Sequence, residues 1–166
     1  MYDLAFRNID ALPTDPVESW PFEGLVTAIE RGSLSDWQRI AAAVRRAPWG
    51  PVSRGVQEYA SYGEQADVAE LLVEAVRRAR AAADKADRAE VTGRVRAAVE
   101  RSGLPARRFA VEVGTSASRL STYCTGAVQP SAAMLLRIER ESQRLAADRA
   151  PTVPRAGMPV SAARTR

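Results

Sequence analysis

The stretch that decides the fold is residues 104–131, LPARRFAVEVGTSASRLSTYCTGAVQPS. Pro105 suits the first position of a helix, because its missing N–H would find no partner there. Phe109, Ala110 and Val113 then recur at helical spacing, which predicts one apolar face. Gly114 follows directly, and a glycine is the usual residue just beyond the end of a helix. The pattern therefore predicts a short helix that ends in a glycine turn.

A second short helix is predicted after this turn. The Ser116 hydroxyl can cap its first turn, and Leu120 and Tyr123 give it an inward face. Gly126 is suited to end it in the left-handed conformation that other residues adopt at a cost. The two helices and their turn form a predicted helix-turn-helix, and Ser131 then marks the start of a further helix.

These residues closely resemble the lambda-repressor-like (Xre) helix-turn-helix family over about residues 88–148. The resemblance implies that the helix beginning at Ser116 enters the DNA major groove while the preceding helix crosses the backbone. The in-register matches are Leu104, Phe109, Ala110, Val113, Gly114, Ser116, Leu120, Ser121, Tyr123, Gly126, Pro130 and Ser131. One departure is that Pro105 and Ala106 stand where the family usually has a capping Ser or Thr and a Gln. The alternative is a helical hairpin with an incidental glycine turn.

The resemblance also implies which side chains would contact DNA. The positions implied to face bases are Ser116, Ala117, Ser118, Ser121 and Thr122. The positions implied to lie near phosphates are Arg107, Arg108, Arg119, Thr125 and Gln129. Small hydroxyl side chains dominate the reading face, and they discriminate bases less sharply than bidentate Arg, Asn or Gln contacts do.

The charge of the chain is divided unevenly between its two halves. Residues 1–86 contain 10 Lys or Arg and 13 Asp or Glu, whereas residues 87–166 contain 14 and 7. The basic half is the half that holds the helix-turn-helix. A field of that sign attracts a polyanion, so the charge distribution favours double-stranded DNA as the partner of the carboxyl-terminal half.

Composition excludes several other classes of function. No apolar run approaches the roughly twenty residues that span a bilayer, so we expect a cytoplasmic protein without a membrane segment. The chain has no histidine and a single cysteine, Cys124, which we interpret as a packing residue or, alternatively, a redox sensor. Neither a phosphate-binding glycine loop nor a metal-ligand cluster is evident. We therefore expect no enzyme activity, no cofactor and no metal.

The amino-terminal part, residues 1–66, is predicted to be a helical unit of its own. Apolar residues at helical spacing predict a helix from Phe22 to Arg31, and Ser35 with Gln38 suggests a capping box for the next one. Pro51 can open a third helix. Residues 1–21 are expected to form an irregular arm with a short turn. The three tryptophans, Trp20, Trp37 and Trp49, are interpreted as core residues or, alternatively, as interface residues.

A long helix is predicted next, from Asp67 to Ser102. Its first apolar stripe consists of Val68, Leu71, Leu72, Ala75, Val76 and Ala79, and its last of Val91, Val95, Ala98 and Val99. The middle is either a helical strut or a break near Asp84–Asp87. The predicted organisation is thus an all-α chain with a helical unit at 1–66, a connecting helix at 67–90, a helix-turn-helix domain at 91–148 and a disordered basic tail at 149–166. The tail is either a dispensable end or an arm that follows DNA.

Two functions are compatible with this organisation. The first is a sequence-specific transcriptional regulator, a repressor, that binds operator DNA as a homodimer, because such motifs commonly occupy two half-sites. The second is the antitoxin of a toxin–antitoxin pair, whose amino-terminal domain binds the toxin while the other domain controls the promoter. A helical scaffold without DNA affinity is a third alternative, which the charge distribution disfavours.

Overall fold

A computed structural model describes residues 4–149 of the chain, and all of its regular secondary structure there is helical. A 3-10 turn (Val17–Ser19) precedes α1 (Phe22–Arg31), α2 (Leu34–Arg46), α3 (Pro51–Ala60), α4 (Ala66–Ser102), α5 (Ala106–Glu112), α6 (Ala117–Thr125) and α7 (Ala132–Arg149). The prediction of an all-α fold is confirmed for this part of the chain. None of its helices has the length and apolar character needed to cross a membrane. The predicted basic tail lies outside the described residues from position 150 onward.

The chain divides into two compact units, one ending at Asp87 and the other beginning at Arg88. The long helix α4 is unbroken through this boundary, so the break that the sequence left open near Asp84 does not occur. Several residues from its first half pack in the core of the first unit: Val68, Ala69, Leu72, Val76 and Ala79. The division therefore differs from the predicted boundary after residue 66, because the beginning of α4 completes the first core.

The first unit packs α1, α2, α3 and the beginning of α4 around Ile29, Ile40, Val56 and Tyr59, which are fully buried. From Leu4, where the described residues begin, to α1 the chain has no regular strand or α-helix, and its Leu4 and Phe6 pack against this core. This agrees with the predicted irregular arm.

The start of α2 corrects the predicted capping box. Ser33, not Ser35, is the residue before the helix, and the Ser33 backbone N–H donates to Asp36 Oδ2 at 2.9 Å. Asp36 is buried and lies three residues after Ser33, so it reaches back where Gln38 was expected to do so.

The three tryptophans have different environments. Trp20 is buried, and its indole N–H donates to the Leu12 carbonyl at 3.1 Å. Trp37 packs against the same core and donates to the Ala28 carbonyl at 3.1 Å. Trp49, in contrast, is half exposed. The core interpretation is therefore confirmed for Trp20 and Trp37 and wrong for Trp49.

The second unit packs the end of α4 with α5, α6 and α7. Its core centres on Val95, Phe109, Val113, Leu120 and Ile138, each almost completely buried. The sequence predicted that Val95 and Val99 of α4 would contact Phe109 and Leu120, and all four residues belong to or pack against this core. The end of α4 is also joined to α7, because the Arg101 guanidinium donates to the buried Ser142 hydroxyl at 3.1 Å.

An ion pair between α4 and α7 makes the stability of this unit depend on pH. Arg94 Nε donates to Glu139 Oε1 at 2.7 Å, and this hydrogen bond holds the pKa of the Glu139 carboxyl below its usual value of 4.5. A carboxyl group whose pKa is lower in the folded state than in the unfolded state stabilises the fold at pH values above its ordinary pKa. This stabilisation is lost as the pH falls through the folded-state pKa.

We therefore expect Glu139→Gln to lower the free energy of unfolding by about 0.5 kcal/mol at neutral pH. The difference from wild type should shrink as the pH falls below 4.5 and through the lowered folded-state pKa, because the protonated Glu139 carboxyl resembles the amide. Urea denaturation at neutral pH and at a series of acidic pH values measures it. A difference that stays constant across the series would show that the charge of Glu139 is not the cause.

Candidate nucleic-acid interface

Helix α5 combines a buried apolar face with two exposed cations. Pro105 lies immediately before the helix, whereas the sequence predicted it at the first helical position. Its extended conformation leads the chain into the helix. Phe109 and Ala110 are fully buried, whereas Arg107 and Arg108 are exposed. The core thus fixes α5 through one face and leaves the two guanidinium groups in solvent.

The turn after α5 depends on Gly114. Its φ of +70° lies in the left-handed region, which a residue with a Cβ rarely adopts. The Thr115 N–H then donates to the Ala110 carbonyl at 2.9 Å, which occupies an acceptor at the end of α5. A glycine at this position therefore allows the chain to reverse and start α6 only three residues later.

Helix α6 has the predicted cap residues at both of its ends. The Ser116 hydroxyl accepts from the Arg119 backbone N–H at 3.1 Å and caps the first turn. Gly126 ends the helix with φ +78°, and a Cβ there would lie only 2.9 Å from Thr92 Oγ1 on α4. Only glycine suits this position, because both the backbone conformation and the neighbouring side chain exclude a larger residue.

The two faces of α6 differ sharply in exposure. Leu120 and Tyr123 are buried in the core, at 1% and 5% exposure. The opposite surface carries mostly small side chains and one arginine, and its exposed members are Ala117, Ser118, Arg119, Ser121 and Thr125. Because all of these side chains except Arg119 are short, the α6 backbone can come close to whatever surface it meets. We call this exposed set, together with half-buried Thr122, the α6 face.

The hydroxyl groups on and beside the α6 face are not equally available. Thr122 Oγ1 donates to the Arg119 carbonyl at 2.8 Å, and Thr125 Oγ1 donates to the Thr122 carbonyl at 3.1 Å. Ser116 is likewise engaged as the cap. In contrast, the hydroxyls of Ser118 and Ser121 have no hydrogen-bond partner within residues 4–149. These two serines are therefore the side chains of this set that can both donate to and accept from a ligand.

Positive charge beside the α6 face is not neutralised by nearby acids. Among the described residues, Arg107, Arg108 and Arg119 form neither an ion pair nor a side-chain hydrogen bond, and all three are exposed. Arg94 and Arg144, elsewhere in the same unit, are each paired with a carboxylate. The last predicted contact residue, Gln129, is half-buried in the loop after Gly126.

Two arginines from other helices hold the helix pair, and sequence reasoning did not identify either role. Arg96 on α4 donates from Nε to the Cys124 carbonyl at 2.5 Å, near the end of α6. Arg137 on α7 donates to the Val113 carbonyl at 3.5 Å, at the end of α5. Their partners are 28 and 24 residues away along the chain, so no local pattern contains this signal.

The environment of Cys124 favours the packing interpretation over the redox one. Its side chain is partly buried against the second core, and this burial raises the pKa of the thiol. Arg96 opposes the shift only in part. A thiol that stays protonated at neutral pH is a poor nucleophile, because the thiolate is the reactive form.

No protein-family model, curated protein or solved structure matches the chain. Any ligand of the α6 face therefore has to be inferred from the geometry and charge of its own residues.

Proposed function

We propose that the chain is a sequence-specific DNA-binding transcriptional regulator, a repressor that acts on operator DNA in the cytoplasm as a homodimer. The observation that carries the proposal is the α6 face. Small side chains project from a helix that is anchored on its other side by Leu120 and Tyr123, and uncompensated arginines flank it. A helix of this kind fits the major groove of B-DNA, which admits one α-helix.

The proposed roles follow from the chemistry of each side chain. The Ser118 and Ser121 hydroxyls reach base edges, where a hydroxyl can donate to or accept from any base. Arg107, Arg108 and Arg119 bind phosphates, which orients the protein without reading sequence. Because each serine contact discriminates weakly, we expect part of the specificity to come from DNA shape.

The direct test is selection of bound sequences from a random DNA pool by the full chain. We expect enrichment of one short motif that occurs twice with fixed spacing, since a homodimer occupies two half-sites about one helical turn apart. Failure to enrich any sequence, together with no binding to duplex DNA at low salt, would contradict the proposal. Enrichment of a single unpaired motif would contradict only the dimeric mode.

The Arg119→Ala variant tests the phosphate contact. Loss of one phosphate contact should weaken binding to all duplexes alike and reduce the slope of log affinity against log salt by about one. Binding measured at several salt concentrations gives this slope. Arg140→Ala is the matched control, because Arg140 is an exposed arginine of the same unit that lies on α7. Equal effects of the two substitutions would show that only net charge matters.

A further inference from the structure

The first unit has an apolar groove between α2 and α4 that its own core does not fill. Leu34 at the start of α2 and Leu71 on α4 line it, and they are 66% and 69% exposed. Trp37, Ala41 and Val68 form part of its walls. The sequence placed Leu71 on the inward stripe of α4, and its exposure is the clearest departure from that stripe. Exposed leucines that share a groove are typical of a surface that contacts another protein.

The groove continues along α4. A wider section of about 660 Å³ shares Leu71 and Ala75 with the first and extends to Ala82. Its polar lining consists of Glu74 and Arg78 on α4 and Arg45 on α2. Along α4 the surface therefore runs from a bulky leucine, past an acid and a base, to a small alanine.

The order of these residues makes the surface complementary to itself. Along the chain, the midpoint between Glu74 and Arg78 is position 76, and the midpoint between Leu71 and Ala82 falls between positions 76 and 77. When two copies of α4 run antiparallel about a two-fold axis near this point, Leu71 of each copy faces Ala82 of the other. The same arrangement brings Glu74 of each copy to Arg78 of the other. The bulky and small side chains at positions 71 and 82, and the opposite charges at positions 74 and 78, are thus each matched by the two-fold mate.

We propose that this groove is a two-fold interface between two copies of the chain. All of the residues that form it lie in the first unit. The inference rests on the proposed function for its purpose, since operator binding by two half-sites requires a dimer. Within one copy, Glu74 already pairs with Arg77 and Arg78 at 2.6 Å each. In the dimer, Arg78 of the second copy also lies beside this carboxylate. Neither Glu74 nor Arg78 is therefore left without a partner of opposite charge.

The first experiment measures the mass of the full chain by sedimentation equilibrium without DNA. We expect a dimer for wild type, and we expect Leu71→Glu to raise the dissociation constant about a hundredfold, because an isologous interface carries each substitution twice. The exposure of Leu71 means that the variant keeps its fold, which circular dichroism verifies. Leu12→Glu is the matched control, since Leu12 is 63% exposed in the same unit but lies outside the groove.

The second experiment tests the charge match. Glu74→Arg and Arg78→Glu should each weaken the dimer, and the double variant should restore it, because the two charges are exchanged between facing positions. A monomeric wild type, an unaffected Leu71→Glu variant or a double variant no better than the singles would overturn the proposal. So would a chain that is monomeric alone and binds only a different protein through this groove, as a toxin would.

These measurements are independent of DNA binding. If the chain forms the dimer but does not bind DNA, the proposed function fails and this interface stands. If it binds DNA through the α6 face as a monomer, the interface fails and the proposed DNA binding stands.

Discussion

Replacement of Ser118 with aspartate is expected to reduce the affinity for DNA by about a hundredfold or more, because it places a negative charge on the surface proposed to enter a polyanionic groove. Ser118 is exposed, and its hydroxyl is unbonded within the described residues. It is also the second residue of α6, where a carboxylate interacts favourably with the helix dipole. The folded state should therefore be at least as stable as wild type, and loss of binding would not reflect unfolding.

The control for Ser118→Asp is Gln143→Glu. It adds the same charge to an exposed position of the same unit, but on α7. Fluorescence anisotropy with duplexes from the random-pool selection measures both variants. Undiminished binding by Ser118→Asp, or an equal loss in Gln143→Glu, would show that α6 is not the surface that meets DNA.

The largest effect on stability is expected from Phe109→Ala. Phe109 is fully buried at the centre of the second core, and loss of its ring leaves a cavity that the neighbours fill only in part. Substitutions of this kind cost about 3–5 kcal/mol in free energy of unfolding. A unit as small as this one has little stability beyond that amount, so we expect it to be largely unfolded at physiological temperature.

Val111→Ala is the matched control for this experiment, since Val111 lies on the same helix but is 73% exposed. Its expected effect is below about 0.5 kcal/mol. Urea denaturation gives the two free energies, and hydrogen exchange shows whether the loss is confined to the amides of residues 88–149. Similar losses in both variants would mean that Phe109 does not organise the core.

Elements governed by neighbouring residues could be predicted from the sequence. Helix α1 has the predicted bounds, Phe22–Arg31, because apolar residues at helical spacing and a following glycine are sufficient to define it. Ser116 caps α6 and Gly126 ends it in the left-handed region, as predicted, since both depend on contacts within one or two turns. The buried and exposed faces of α6 were also predicted, because periodicity alone separates Leu120 and Tyr123 from the serines.

The tertiary structure decided which surfaces are covered by other elements and which residues distant in sequence are in contact. The apolar stripe of α4 included Leu71, yet no other element of the described chain covers that side chain, and periodicity cannot tell whether a neighbour is present. Arg96 and Arg137 reach the carbonyls at the ends of α6 and α5 only because folding brings separate helices together. The sequence thus determined the helices and their inward faces through local geometry, whereas packing across long stretches of chain decided the exposed groove, the supporting arginines and the boundary between the units.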